Sequence, residues 1–526
     1  MPYVRTVKTK SGATAVQIVW SSRRGSRNIE HIGSAHDESE LEALKAAAGQ
    51  RIADGQLELD LGLEDAAPAG PLPIMSSRMG RLLDALERGY RALGLDEAAG
   101  DDDVFRHLVL ARIIEPVSKL DSLRVLEEAG VAPPSYATVK RQLPAYAEDA
   151  WRQRLSAACA AHARLGPASL VLYDVSTLYF ETHQGDGFRE PGFSKERRLE
   201  PQITIGLLAD QAGFPLMLSA FEGNRAETKT MLPVIEKFMT AHDLPDVTVV
   251  ADAGMISDAN MKAIEAAGLS FILGARIPHV PYLAAQWRRE HPGERIPDGQ
   301  IFTQPWPAGP GGGRRDQVIY YQYKADRARR ALRGIDEHVR KAEQAVAGNA
   351  PVKRNRFVQL SGGTRKVNRQ LEEKARALAG LKGYVTNLRA CPDGTPVTAE
   401  FVIGAYHQLF QIEKSFRMAK SDLRAWPVYH RKRDSIEAHL TIVLAALAVS
   451  CWIESTTGWS IRKFVKTARR YRTIEIQAGA HIITAADPLP DDLRAALNEI
   501  NNGGPGAHWP DKSGNQTQDQ RQIVAP

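Results

Sequence analysis

The order of apolar and polar positions divides the chain into distinct textures. Residues 1 to about 35 alternate in short runs, YVRTVKT and TAVQIVWSS, separated at Ser11-Gly12. A period of two predicts strands, and the Ser-Gly break predicts a hairpin. A helix is predicted from Ser39 to Ile52, a short strand in ADGQLELDLG and a loop over 66–73, AAPAGPLP. Together 1–65 read as a small α+β element. From Ser77 to Tyr146 apolar residues recur at helical spacing, broken by PVSK and GVAPPS. Ser135 stands where a helix N-cap belongs, ahead of YATVKRQLPAY. A DNA-binding or target-binding module and an ordinary helical hairpin both explain the helical region 77–160.

At Ser169 the texture changes. SLVLYDVSTLYFE, ITIGLLAD and PLMLSAFEG are strand-like, followed by the helix ETKTMLPVIEKFMTAH. The β-branched strand DVTVVADAG, a helix from Ser257 to Ala267 and the strand SFILGAR complete the series. Three strands, helix, strand, helix, strand make a mixed α/β core and not a repeated βαβ array. From about 277 to 380 the pattern is interrupted by PWPAGPGGGR, a strand QVIYYQY and two charged helices, 326–348 and 363–379. The core resumes at LKGYVTNL and a helix beginning near Thr398. This predicts a core of 165–276 and 380–455, with 277–380 packed as a separate lobe. HLTIVLAALAVSCW, 439–452, reads as a buried helix too short to span a bilayer. A basic helical region, 456–500, and a disordered Gly-, Asn-, Asp- and Gln-rich tail, 501–526, are expected to follow.

Composition changes this picture little. The 526 residues are 43% apolar and 25% charged, as in ordinary soluble proteins. A formal charge of +6 and a pI near 9.0 permit a polyanionic partner without requiring one. Three scattered cysteines form neither a disulfide framework nor a zinc site, and a reducing compartment is expected. The start, MPYVRTVKTKSG, has no apolar signal core. The absence of HExxH, of Cys/His ligand spacing and of GxxxxGK[ST] excludes those zinc and ATP-driven classes.

Chemistry is suggested by three acids. Asp174 lies in the middle of one strand that wants burial, and Asp252 lies at the end of another. Either alone is explained by a cap or turn. A carboxylate in such a place is costly unless it is paired, hydrogen-bonded or bound to metal. Strand ends on one sheet bring two carboxylates close, and a third on a helix laid across that sheet completes a hard oxygen site. Such a site suits Mg2+, with Mn2+ as a substitute. Glu413 is the candidate, in YHQLFQIEKSFRMAKSDL, 406–423. Tyr406, Glu413 and Lys420 are spaced by seven, which on one straight helix puts all three on one face.

VLYDVSTLYFE, VVADAGM and YHQLFQIEKSFRMAK together resemble the three signature regions of bacterial insertion-sequence transposases of the DDE class. The resemblance is to the branch with a Tyr-Arg-Glu-Lys signature and an insertion before the last acid. GFSKERRLEPQITIGLL, FEGNRAET and DLRAWPVYHRKRDSIEAHL are similar too, so the likeness spans most of 100–475. It implies a ribonuclease-H-like fold, an α/β core preceded by a mainly helical region with a small β element. It implies that Asp174, Asp252 and Glu413 hold two divalent ions that cleave transposon-end DNA and join its 3′-hydroxyls to target DNA. Lys420 would act with them at the catalytic centre, and Tyr406 would contact DNA. The signature's Arg falls on Leu409 and is absent, with Arg417 a geometric substitute. Terminal inverted repeats, target DNA, a homodimer on DNA, a bacterial cytoplasmic, nucleoid-associated setting and no membrane complete the implied picture. A nuclease of the same fold without joining, and a non-catalytic DNA-binding relative, remain as alternatives.

Basic residues are clustered. Lys195, Arg197 and Arg198 lie between the first two core strands. Arg431, Lys432 and Arg433 follow the Glu413 helix. Arg462, Lys463, Lys466, Arg469, Arg470 and Arg472 crowd SIRKFVKTARRYR. These are candidate phosphate contacts, which would make binding salt-dependent and largely sequence-independent. Trp426 is a candidate for stacking on a base, with a core position as the alternative. For the charged helix at 325–345 a solvated surface is the preferred reading.

Overall fold

The computed structural model describes residues 2–9, 12–21, 27–54, 72–166, 169–182, 184–192, 200–226, 229–244, 246–252, 258–306, 316–349, 355–361, 364–425, 428, 430–478 and 481–503. It divides into two units, 1–77 with 473–486 and 78–472 with the residues from 487 onward. The first unit opens with the meander β1 (Tyr3–Lys8), β2 (Thr14–Ser21) and β3 (Arg27–Ala35), paired in that order. Helix α1 (Glu38–Asp54) closes it, packing Ala48 over Val16 and Ile18. Strand β4 (Ile74–Arg78) belongs to a second small sheet completed from late in the chain. The strand expected in ADGQLELDLG lies outside the described residues from position 55 onward.

The second unit begins with α2 (Gly80–Ala92), α3 (Leu95–Ala98), α4 (Asp103–Ile114), α5 (Asp121–Ala129), α6 (Tyr136–Ala147) and α7 (Asp149–Ala163). Ser135 caps α6 as expected, its hydroxyl accepting from the Thr138 backbone N–H. The α/β series follows as β5 (Leu170–Tyr179), β6 (Gln202–Asp210), β7 (Pro215–Glu222), α8 (Met231–His242), β8 (Thr248–Ala251), α9 (Asp258–Ala266) and β9 (Ser270–Ala275). Next come α10 (Tyr282–Glu290), β10 (Ile301–Trp306), β11 (Gln317–Tyr323) and α11 (Ala325–Val346). The hairpin β12 (Val358–Ser361) and β13 (Thr364–Val367), α12 (Arg369–Leu378) and β14 (Leu381–Thr386) lead back to the sheet.

Eight strands pair in the order β10-β11-β14-β9-β8-β5-β6-β7. Pairing of β5 with β8 and of β8 with β9 is parallel; the other pairs are antiparallel. The stretch 277–380 therefore differs from the expected separate lobe. Its strands β10 and β11 extend the central sheet beyond β14, because QVIYYQY offers an alternating face that pairs along all of β14. Two small cores stand apart from the main one: Ala284, Ile296 and Phe302 with Leu381, and Ile335, Val339, Ala342 and Phe357 between α11, α12 and the small hairpin. The second charged helix is shorter than predicted, since 364–367 pair as a strand.

The chain then forms α13 (Ala399–His407), α14 (Leu409–Arg417), a π-helical turn (Met418–Asp422), α15 (Arg433–Thr457), α16 (Ile461–Ala468), β15 (Thr473–Ala478), β16 (His481–Ala486) and α17 (Asp491–Asn502). Helix α15 is buried as expected but runs to 25 residues, long and apolar enough by length and composition to cross a membrane. Its apolar window is wholly covered, with α2, α4, α6, α17 and β7 packed around it. A helix apolar on all sides needs such cover in water. The region 456–500 is not all helix: β15 and β16 form a hairpin on β4. The tail expected to be disordered lies outside the described residues from 504 onward. All three cysteines are free and buried.

Gly213 shows how α14 is seated. It lies in the β6–β7 turn at φ +84°, and a Cβ there would stand 2.8 Å from the Gln411 carbonyl oxygen of α14. The Ser415 hydroxyl of α14 donates to the Gly213 carbonyl at 2.6 Å. Gly187 has an equally positive φ, +86°, but open space around it. Gly213→Ala is expected to destabilise the protein by about 1–3 kcal/mol, and by more than Gly187→Ala. Urea unfolding of the two variants checks this ranking.

Candidate active site

Two sheet strands set the first two acids. In the parallel β5–β8 pair Tyr173 stands opposite Ala251, so Asp174 and Asp252 are the next neighbours in register. Adjacent strands lie about 4.8 Å apart, and in-register side chains share a face. Tyr173 donates to the Thr230 hydroxyl at the start of α8. Alternation then sends Asp174 to the opposite face, where α13 and α14 lie. Asp174 is partly buried and Asp252 exposed.

The stretch 406–423 is not one straight helix. It breaks at Gln408 between α13 and α14 and then widens into the π-helical turn that carries Lys420. The expected single face of Tyr406, Glu413 and Lys420 is thus corrected: Tyr406 is 4% exposed, Glu413 is exposed and Lys420 is half-buried. A changed turn count alters the angular phase of every later side chain. The three still serve one region. The Tyr406 hydroxyl donates to Asp252 Oδ1 at 2.5 Å. Lys420 Nζ donates to the Thr177 carbonyl, three residues beyond Asp174, at 3.3 Å. Lys414 Nζ, beside Glu413, meets Glu454 Oε2 of α15 at 2.9 Å. Tyr406, the candidate DNA contact, is buried with its hydroxyl on Asp252.

Sequence reading missed Lys382. It lies on β14, and its ammonium stands 4.3 Å from the Tyr406 ring centroid. Tyr384, two residues on and on the same face, packs edge-on against that ring at 5.0 Å. Burial lowers the Lys382 pKa from its ordinary value; the charges of Asp252 and Glu413 oppose this and that of Arg327 adds to it. One lysine thus senses two of the three acids. No motif flagged it, because β14 was read only as the resumption of the core. Its sidedness depends on pairing with β9 and β11.

The donor set fits a hard divalent cation in its chemistry: carboxylate oxygens, two of them adjacent in register. Among the described residues no three His, Cys, Asp or Glu side chains are gathered closely enough to hold a metal ion. The Tyr406 hydroxyl is a direct partner of Asp252 in this acidic region.

The basic candidates separate into distinct environments. Lys195, Arg197, Arg198 and Trp426 lie outside the described residues. Arg417, Arg431 and Lys432 are exposed. Arg433 pairs with Glu437 at 2.9 Å and lies over the Phe188 ring at 4.6 Å. On α16, Arg462, Lys463 and Lys466 are exposed opposite the buried Ile461, Phe464, Val465 and Ala468, and Lys463 covers the Trp459 ring at 3.5 Å. Arg470 is exposed as well. Arg469 faces Glu115 at 3.6 Å, and Arg472 donates to the Glu128 carbonyl at 3.1 Å. Those last two arginines brace the helical region.

Residues 165–449, more than half of the chain, match the family described as Transposase DDE domain. The chain belongs to that family and is a transposase by class. A search of curated proteins finds no match. Among solved structures the chain is similar to a piggyBac transposase in a synaptic complex with hairpin DNA, at 12% identity and a TM-score of 0.32. That similarity covers 74% of this chain and 70% of the other.

The Tyr406–Asp252 contact is open to direct measurement. A double-mutant cycle of Tyr406→Phe and Asp252→Ala, followed by urea unfolding, is expected to give a coupling energy of about 1 kcal/mol. A coupling of zero would mean that the hydrogen bond does not hold Asp252 in solution.

Proposed function

We propose that this transposase cleaves the ends of a mobile DNA element and joins the freed 3′-hydroxyls to target DNA, with Asp174, Asp252 and Glu413 as its catalytic acids. The observation that carries the proposal is the β5–β8 register: Tyr173 stands opposite Ala251, directly before Asp174 and Asp252, and α14, which bears Glu413, packs against β5. The order β7-β6-β5-β8-β9, with antiparallel pairing on one side of β5 and parallel on the other, supports a ribonuclease-H-like core. Membership of the DDE family supports DNA as substrate.

Asp174, Asp252 and Glu413 would hold Mg2+, or Mn2+ in its place. Bound there, two divalent ions supply Lewis acidity to the attacking and leaving oxygens of a phosphodiester. The chain's own residues do the rest. Tyr406 orients Asp252 through its hydroxyl. Lys420, tied to the β5 backbone beside Asp174, offers a point charge to a DNA phosphate at the catalytic centre. Lys382 balances Asp252 and Glu413 in the free protein. The exposed Arg417, Arg431, Lys432, Arg462, Lys463, Lys466 and Arg470 supply backbone affinity. A homodimer on paired inverted-repeat ends, acting in a bacterial cytoplasm, completes the reading.

Asp174→Asn, Asp252→Asn and Glu413→Gln are each expected to abolish cleavage and joining of labelled end DNA while leaving folding and DNA binding in place. The unmodified chain is expected to need Mg2+ or Mn2+ and to be silent in chelator. A native cleavage rate in any one variant removes that residue from the triad. Hydrolysis without joined product would assign a nuclease instead.

A further inference from the structure

The helices α11 and α12 sort their charges. On one side acids and cations hold each other. Asp326 pairs with Arg329, and Glu337 with Lys341 at 2.6 Å. Arg369 pairs with Glu343 at 2.5 Å and Glu372 at 2.6 Å. Arg376 pairs with Asp336 at 2.6 Å and Glu372 at 2.9 Å. On the other side a groove of about 730 Å³ is lined by Arg327, Arg330, His338, Arg356 and Lys374, with no acid among the described residues of its wall. Among the described residues Arg330, His338, Arg356 and Lys374 make no ion pair. Charges scattered over a solvated helix would pair without preference; here the acids are kept out of the groove. The solvated reading of 325–345 therefore describes one face of α11 only.

The groove reaches the start of β14. Its wall includes Gly380 and Leu381, directly before Lys382. Arg327 Nη1 donates to the Gln322 and Gly380 carbonyls, both at 3.2 Å, and its charge reaches Lys382. Arg327 thus ties the groove to the start of β14.

We infer that this groove binds the phosphodiester backbone of the DNA flanking the bond presented to the acids. The inference rests on the proposed function for where that bond lies. Concavity, unpaired guanidinium and ammonium groups and an acid-free wall are what a run of backbone phosphates requires. Recognition there would be by charge and not by base.

The test compares two triple variants of the full chain with the same change in net charge. Arg330→Ala/Arg356→Ala/Lys374→Ala removes three cations from the groove and leaves Arg327 and His338. Arg329→Ala/Lys341→Ala/Arg369→Ala removes cations already paired, each more than half exposed, whose loss costs little stability. Affinity for a fluorescent DNA duplex is measured against salt. The groove variant is expected to bind on the order of tenfold more weakly, with a salt slope shallower by about 2–3, since each phosphate left without its cation takes about 0.9 from the slope. The paired-face variant is expected to keep the slope of the unmodified chain. Equal slopes in the two variants, or an unchanged slope in the groove variant, overturn the inference alone if the unmodified chain binds and cleaves DNA. An unmodified chain that binds no DNA overturns this inference and the functional reading together.

Discussion

The parallel pairing of β5 with β8 is the constraint on which the rest of the catalytic face depends. One register, Tyr173 opposite Ala251, makes neighbours of two carboxylates 78 positions apart in sequence. A shift of one residue would turn one of them to the α8 side, because side chains alternate along a strand. Tyr173 opposes such a slip: its ring lies over Gly206 of β6, and its hydroxyl meets Thr230. Apolar residues of β5 and β8 buried in the sheet supply the driving force. The acids are carried at the end of that buried pair.

The third acid is placed by a different device. Helix α14 is pinned on one side to the β6–β7 turn through Ser415 and Gly213, and on another to α15 through Lys414 and Glu454. The preceding α13 sets Tyr406 against Asp252, Tyr384 and Lys382. The break at Gln408 and the π-helical turn let three segments aim three side chains differently. On a single regular helix Tyr406 and Glu413 would share one face; the break at Gln408 frees the second from the direction of the first. The support of Asp252 and the presentation of Glu413 are therefore separate functions joined by one short irregular stretch.

Electrostatics follows the same division between support and presentation. Arg433, Arg469 and Arg472 are taken up by internal partners, Glu437, Glu115 and the Glu128 carbonyl. Lys382 is turned toward the acids, while the α16 lysines and the groove between α11 and α12 face outward. Counting basic residues in sequence does not separate these roles, because pairing depends on which acids the fold brings within reach.

Much of this was legible in the chain. The period-two runs around Asp174 and Asp252, the cap at Ser135 and the helical spacing through Glu413 are local signals, and local signals determine elements. The order of strands and helices from 169 to 276 followed from them, as did the burial of α15. What only the tertiary structure decided was pairing and phase. β10 and β11 join the central sheet because β14 leaves an edge that QVIYYQY can complete, and edge pairing is non-local. Tyr406 turns inward because the helix breaks at Gln408, a deviation that no periodicity announces. Lys382 sits at the acidic centre because β14 pairs with β9, far away in sequence. The residue types and their spacing determined which groups this protein can use; the register of the strands and the phase of the helices decided which of them meet, since both are set by contacts between segments.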